Sequence, residues 1–478
     1  MTTRRTRRVS SLLAVFTLFA LLAAACSSGD DGGETESGEG AESSTTTAAP
    51  DDGTTTPPDD TEDTSTTAAP ADDVEPFDSY RGVTADTITV GVVSSDLDEL
   101  RELGLVDINN GDVPLIWETL IADVNANGGV AGRQLEMIYT EYNPVFTASA
   151  DDACVQLTQD NEVFIVLGGI TGPAIDSVMC FVQQNETMMI GGTHTPAHFP
   201  QATVPWAAIA MSAERRHEGT LALYQELGLL DGKVATYDDS SENQSITQDV
   251  VLPALADLGV EVVESFTSTI PQGDEVALAN QAEIYAEVAK DENIDTLIVV
   301  QSQLAFGIAH MREAGFEGNI VAIDTGETVS TIGGFDERDP AIYDGTYSPM
   351  GASRDESWDL EASQACYDIL REAEGIEVLD PADVPDGEAN WAGGMQAPCA
   401  YLSVLKAAGD RAGGDLNPDT FLAGLEAIGA IDLANIPFAS FGPGKYDAAD
   451  GLRIGQFDPT LGENGGLVEV TELTDITQ

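Results

Sequence analysis

The sequence predicts an α/β protein of two lobes, each an open sheet with a parallel core. Three observations predict it. From Thr87 onward, short apolar runs alternate with amphipathic helical patterns, and such alternation pairs strands in parallel through right-handed crossovers. The pattern restarts near Ala213, giving two runs of similar size. A chain of 478 residues, 42% of them hydrophobic, also exceeds one compact core, at roughly 100–200 residues per domain.

The elements follow in order. Arg4, Arg5, Arg7 and Arg8 make a basic start, and Leu12 to Leu22 is an apolar run of export-signal length, too short to span a bilayer. Ala23, Ala24, Ala25 and Cys26 resemble a bacterial lipobox, with Ala23 where Leu is usual and Leu22 one step further out. The resemblance implies a leader over residues 1–26 and a diacylated Cys26 holding the chain to a membrane. Residues 27–80 are Gly, Ser, Thr, Pro, Asp and Glu with almost nothing apolar. Such a segment cannot bury enough surface to fold and reads as a flexible tether.

Ile88–Val93 reads as the first strand. Val113, Ile116, Trp117, Leu120, Ile121 and Val124 then form the stripe of a helix packed on a sheet, and Asn127-Gly128-Gly129 stops it. Strand Leu135–Tyr139, helix Thr147–Gln159, strand Val163–Leu167, helix Ala174–Gln184, strand Met188–Ile190 and the apolar stretch Trp206–Met211 complete the first run. In the second, helix Ala213–Leu227 leads to strand Val234–Tyr237, and helix Ser245–Leu258 to strand Val260–Val263. Helix Val276–Lys290 leads to strand Thr296–Val300, and helix Leu304–Glu313 to strand Ile320–Ile323. Tyr343–Ser348 reads as extended. Helices Ser357–Ala373, Met395–Ala408 and Pro418–Ile428 precede strand-like Leu452–Phe457 and Leu467–Val470.

Acidic residues outnumber basic ones 83 to 19. Residues 27–78 hold 16 acids and no base, which leaves 67 acids and 15 bases after position 78, a net of −52. A surface this negative repels phosphate backbones and argues against nucleic acid. No acidic cluster has the spacing of a calcium loop, so the charge reads as a solvated coat, as in a salt-adapted protein. Apart from Cys26 there are four cysteines, Cys154, Cys180, Cys366 and Cys399. An even count in an exported chain suggests two disulfides. Of three possible pairings, proximity favours Cys154–Cys180 and Cys366–Cys399, each worth roughly 3–4 kcal/mol in the chain-entropy model. No two of these cysteines have zinc-site spacing.

Two strand ends stand out as candidate ligand loops. Gly168-Gly169-Ile170-Thr171-Gly172-Pro173 follows one strand, and Gly191-Gly192-Thr193-His194-Thr195-Pro196 follows the next. Each joins glycines, hydroxyls and a Pro at an expected helix start, where unpaired N–H groups favour an anion. Ligands of open parallel sheets bind at the carboxyl ends of the strands, and neighbouring strands bring both loops to one edge.

At this point the chain resembles a known family. Residues 87–478 look like the type I periplasmic binding fold, in the branch similar to leucine/isoleucine/valine-binding proteins. The resemblance rests on Val163–Gly169 with its turn, Ile190–Pro196, Val234–Asp239, Asn293–Ile298, Met311–Phe316 and Tyr343–Tyr347, in that order. It implies two Rossmann-like lobes joined by three crossings, near Ala207–Ser212, Ser348–Gly351 and Pro437–Gly451. Lobe 1 would take 86–210 and 350–438, and lobe 2 would take 211–349 and 439–478. It implies an extracytoplasmic solute-binding component of an ABC importer, a monomer partnered by permease subunits and by the membrane through the Cys26 lipid. An amino acid-like ligand, the branched-chain class among the candidates, would be held between the lobes without cofactor, metal or catalysis. Thr171, Gly172, Gly192, Thr193 and Thr195 would meet its carboxylate and ammonium groups from lobe 1. Asp239, Ser241 and Glu327 would meet it from lobe 2, with Asp324 beside Glu327. The loop Ser240–Asn243 lacks the family's usual Tyr, and Ser94–Leu97 lacks its usual Gly-Pro turn.

Two other readings compete. A receptor lipoprotein of the same fold would sense a ligand without feeding a transporter. A metal-dependent secreted hydrolase would need His194 and His198 as a ligand pair, but the residues read better as polar loop histidines beside the cleft. The sequence has no Gly-x-Ser-x-Gly elbow, His-Glu-x-x-His motif or P-loop. Most of Trp117, Trp206, Trp358 and Trp391 are expected in buried core.

Overall fold

Successive residues of a strand point to opposite faces, so a strand apolar along its whole length needs cover on both sides. The strands here meet that need in two separate sheets. The computed structural model describes residues 74–478 except 105, 239–240, 269, 271–273, 301–303, 324–338, 386, 462–464 and 478. The first sheet holds β1 (Thr87–Ser95), β2 (Gln134–Tyr142), β3 (Ile165–Gly168), β4 (Met188–Ile190) and β5 (Trp206–Ala207). All are parallel, in the order β2-β1-β3-β4-β5. Val90, Val92, Ile165, Leu167 and Ile190 enter one core with Ile116, Leu120, Tyr367 and Leu405. Val93, Val166 and Met189 enter the other, with Ala150, Leu157 and Phe181.

The second sheet repeats the plan. β6 (Val234–Asp238), β7 (Val262–Thr267), β8 (Thr296–Val300), β9 (Asn319–Ala322) and β10 (Tyr347–Met350) run parallel in the order β7-β6-β8-β9-β10. Ala235, Leu297, Val299 and Ile320 face one core, and Val234, Ile298, Val300 and Val321 face the other. A small antiparallel hairpin, β11 (Gly429–Ala430) with β12 (Ser440–Phe441), comes next in the chain. β13 (Gly451–Asp458) then joins β10 antiparallel, and β14 (Gly466–Glu469) and β15 (Thr474–Asp475) pair with β13. The expected α/β class and parallel cores are therefore present.

The helices follow local chemistry. Val113–Ala126 starts where Asp112 accepts from the Leu115 N–H at 3.0 Å and ends where Gly129 N–H returns to the Val124 carbonyl. The helix expected over 147–159 is α-helical to Val155 and then widens into a π turn, Gln156–Asp160. There the Thr158 hydroxyl donates back to the Cys154 carbonyl at 2.8 Å. The helix expected over 174–184 is a 3₁₀ stretch, Gly172–Ser177, followed by a π turn, Cys180–Gln184. Asn185 widens that turn by donating from its backbone and its side chain to the Cys180 carbonyl. The short helix Leu97–Glu102, capped by Asp96, had no visible apolar stripe. Cys154 pairs with Cys180 and Cys366 with Cys399, as proximity suggested. Trp117 and Trp206 are buried, while Trp358 and Trp391 are half-buried.

Two expected boundaries move. Packed chain begins before residue 86: Val83 is buried, the Ser79 hydroxyl donates to the Leu416 carbonyl at 2.7 Å, and Arg133 holds the Phe77 carbonyl at 3.0 Å. Phe441 and Ala448 lie in the first sheet's core. The chain therefore stays with lobe 1 past 438 and joins the second sheet only at β13.

The crossings fix which edges meet. The chain leaves the first sheet from the carboxyl end of β5. It leaves the second from the carboxyl end of β10, which is parallel to β9. It returns into β13, antiparallel to β10, and so enters at that same edge. All three crossings join carboxyl edges, so these edges flank the gap between the lobes. Among the described residues no helix is long and apolar enough to cross a membrane.

Candidate functional site

The carboxyl edge of the first sheet is built by backbones pressed together. A Cβ on Gly168 would fall 2.1 Å from the Val93 carbonyl oxygen, and one on Gly191 2.2 Å from that of Gly168. A Cβ on Gly169 would fall 2.4 Å from Gly192 Cα. The two glycine loops therefore pack on each other, as neighbouring strands suggested. Gly168 and Gly191 have φ of +120° and +134°, which L side chains rarely adopt.

Thr171, Gly172 and Thr193 are exposed on this edge and Gly192 is half-buried beside them. The loops expose hydroxyls and main chain, but the expected anion site before a regular helix is absent. Gly172–Ser177 is a 3₁₀ stretch of six residues, too short to align a helix dipole. The Thr171 N–H is already spent, donating to the Tyr142 hydroxyl at 2.9 Å. Thr195 is drawn into the loop itself: its hydroxyl lies 2.7 Å from His198 Nδ1, and His198 Nε2 lies 2.9 Å from Asp176.

His194 corrects an expectation. It is a buried ring rather than a polar loop group, stacked on Phe199 at 3.9 Å between centroids, with Nε2 3.0 Å from the Trp206 carbonyl. That contact makes Nε2–H the donor of a neutral imidazole. His194 and His198 thus serve separate partners, and no metal-ligating cluster of His, Cys, Asp or Glu occurs among the described residues.

Burial pulls His194 down to about 4 and His217 down to about 3. An unfolded histidine takes its proton near pH 6.5. Between that value and about 4 the unfolded chain binds more protons, so the His194 contribution is whole above pH 6.5 and is lost as pH falls through 4. The span is worth about 3 kcal/mol. His194→Gln should be less stable than the parent at pH 7, and the gap should close by about that amount by pH 4. Urea unfolding at each pH measures it, and a gap constant with pH would refute the assignment.

On the second sheet, Asp238 ends β6 almost fully buried, and its Oδ1 has no hydrogen-bond partner among the described residues. Sequence reasoning chose its neighbour Asp239. That residue and Glu327 lie outside the described residues, as do Asp324, Cys26 and the side chain of Ser241. A 510 Å³ pocket lies at the ends of β1 and β2, lined by Ser95, Asp96, Arg101, Asn110, Asp112 and Glu141 among others.

The hinge carries its own charge network. The first crossing pairs with the third, Ala208 N–H donating to the Tyr446 carbonyl and Ala448 N–H to that of Ala208. Arg215 reaches Asp447 and Asp450 at 2.6 Å each, and Lys445 reaches Asp450 at 3.0 Å. Both aspartates are buried.

Comparison with known proteins gives a consistent picture. A family model described as periplasmic binding protein matches residues 118–460. The chain is similar to an ABC transporter substrate-binding protein from Desulfitobacterium hafniense, at 13% identity over 80% of this chain and 100% of that one, with a TM-score of 0.54. It is similar to an ABC transporter substrate-binding protein from Aeropyrum pernix, at 17% over 82% and 97%, with a TM-score of 0.51. A solute-binding protein of an R. palustris ABC transporter, in complex with 4-hydroxybenzoate, matches at 14% over 82% and 97%, with a TM-score of 0.50. At these identities the likeness speaks for the fold. No curated protein matches the chain.

Proposed function

The chain belongs to the periplasmic binding protein family, and on that premise we propose that it is the extracytoplasmic solute-binding component of an ABC importer. It captures a small polar molecule between its lobes, releases it to permease subunits, and is held to the membrane by the Cys26 lipid. The reading is supported above all by the carboxyl edges of two parallel sheets flanking one gap, with three crossings to bend. The lobe-1 edge suits a carboxylate-bearing, amino acid-like guest, the branched-chain class among them, because its glycine loops offer hydroxyls and main chain and the ends of β1 and β2 beside them carry both signs of charge in Arg101, Asp96 and Glu141. Asp239, Ser241 and Glu327 of lobe 2 are proposed to meet the ammonium end. The chemistry is reversible capture, so no catalytic residue or cofactor is assigned.

A thermal-shift screen of amino acids and small carboxylates tests this. A ligand at 100 times its Kd adds about 2.7 kcal/mol of stability. Stabilisation by one class, with lobe closure seen by small-angle scattering, is expected. A panel that stabilises nothing sinks the amino acid-like reading. Thr171→Ala is expected to weaken binding by roughly 1–3 kcal/mol, the cost of a buried polar group losing its partner. Calorimetry reads this, and unchanged affinity removes Thr171 from the site.

A further inference from the structure

Tyr142 ends β2 in register with Ser95 of β1, and β1 separates β2 from β3. The residue is almost fully buried. Its hydroxyl nevertheless reaches both neighbouring loops. The Ser95 hydroxyl donates to it at 3.2 Å and the Thr171 N–H at 2.9 Å, while it donates to the Gly169 carbonyl at 3.1 Å. A phenol has one proton to give and accepts two bonds at most. These three partners fill it. The Thr171 hydroxyl lies 3.2 Å from the same oxygen, where it competes with the Ser95 hydroxyl for one lone pair, and being exposed it can turn from there to a guest.

We propose that Tyr142 is a positioning residue for ligand capture: its hydroxyl ties the ends of β1 and β3 together and presents Thr171 to the gap. The inference rests on the reading of this edge as the ligand edge. β3 ends at Gly168, and Gly169 packs on Gly192, but the loop beyond them runs on to Gly172, whose would-be Cβ meets nothing closer than 3.5 Å, and glycine leaves such a backbone free to wander unless something fixes it. No regular helix follows to hold the loop. The phenol supplies the fixing point before any ligand arrives, so binding orders less chain.

Tyr142→Phe keeps the ring and removes the ties. In the ligand-free protein, amide exchange over residues 169–172 is expected to quicken at least tenfold, with other segments unchanged. Unchanged exchange there overturns the proposal. Tyr367→Phe is the control, because it removes a buried phenol whose hydroxyl accepts from Gln396 at 3.3 Å, away from the glycine loops. With L-leucine as the probe in calorimetry, Tyr142→Phe should bind at least tenfold more weakly and Tyr367→Phe within twofold of the parent. Equal losses in both variants, or none in Tyr142→Phe, count against positioning. If the parent takes no L-leucine, the ligand class proposed above falls, and the exchange result alone decides on Tyr142. Should Tyr142→Phe fail to fold, Ser95→Ala removes one of the three ties and should quicken the same exchange two- to threefold. No change there also overturns the proposal.

Discussion

Arg215→Met is expected to lower the unfolding free energy by about 3–5 kcal/mol, the usual result of taking one partner from a buried ion pair. The reason lies in what remains. Arg215 spans two carboxylates, Asp447 and Asp450, whose side chains are only 4% and 2% exposed. Asp447 also accepts from the Ser212 N–H at 2.7 Å, and Asp450 from the Ser440 hydroxyl at 2.6 Å. Lys445 reaches Asp450 and, through the Asp447 and Ala448 carbonyls, the chain around it. Without Arg215 the two negative charges, themselves almost out of solvent, would share one ammonium. The chain offers few substitutes, having 19 basic residues against 83 acids. A double-mutant cycle with Asp447→Asn separates the ion pair from the packing of the arginine stem. The pair variant should recover part of the loss, because the orphaned charge has gone. Urea unfolding read by fluorescence and by circular dichroism measures this, and the two probes must coincide before a single free energy is quoted. A loss below about 1 kcal/mol would place the network with ordinary surface pairs. Because Arg215 lies on the first helix after the first crossing and Asp447 in the third, the same variant should also widen the spread of lobe separations.

How much of this was legible beforehand depends on how local each signal is. The two sheets were legible because most strands carry their own apolar run, as Val163–Leu167 and Thr296–Val300 do. The disulfides were legible because the members of each pair are near in sequence, 26 and 33 residues apart. The glycine–hydroxyl edge was legible because β3 and β4 are neighbours in sequence as well as in the sheet.

Tyr142 was not legible. Its partners are residues 95, 169 and 171, and only the order β2-β1-β3 brings them together. Arg133 was hidden for a related reason. An arginine is ordinarily expected in solvent, yet this one is fully buried on the carbonyls of Thr84, Phe77 and Gly414, far apart in the chain. The stretch after 428 has neither strand nor helix periodicity, so only packing could assign it to the first lobe. His194 sits in a run of threonines that reads as polar. Its burial comes from Phe199 and Trp206 folding over it.

Gly191→Ala is the other change with a large expected effect, because it strikes atoms that cannot step aside. A Cβ at 191 would sit 2.2 Å from the Gly168 carbonyl oxygen and 3.0 Å from Tyr401 Cζ. The phenol ring of Tyr401 could tilt. The carbonyl cannot move freely, since the Gly191 N–H donates to the Ala207 carbonyl at 2.8 Å and Gly168 is paired in register with Val93. The backbone at 191 must also hold φ of +134°, worth about 1–3 kcal/mol for a residue with a side chain. Forced displacement in a packed region adds about 1–3 kcal/mol. The expected destabilisation is therefore about 4 kcal/mol, together with a ligand affinity reduced at least tenfold, because the loops after β3 and β4 part. Gly104→Ala separates the two causes. Gly104 has φ of +71° with no atom within 4 Å of its would-be Cβ, so it carries conformational cost alone, about 1 kcal/mol. If both variants lose the same stability in urea, close approach is not what glycine serves at 191, and the packed edge loses its physical basis.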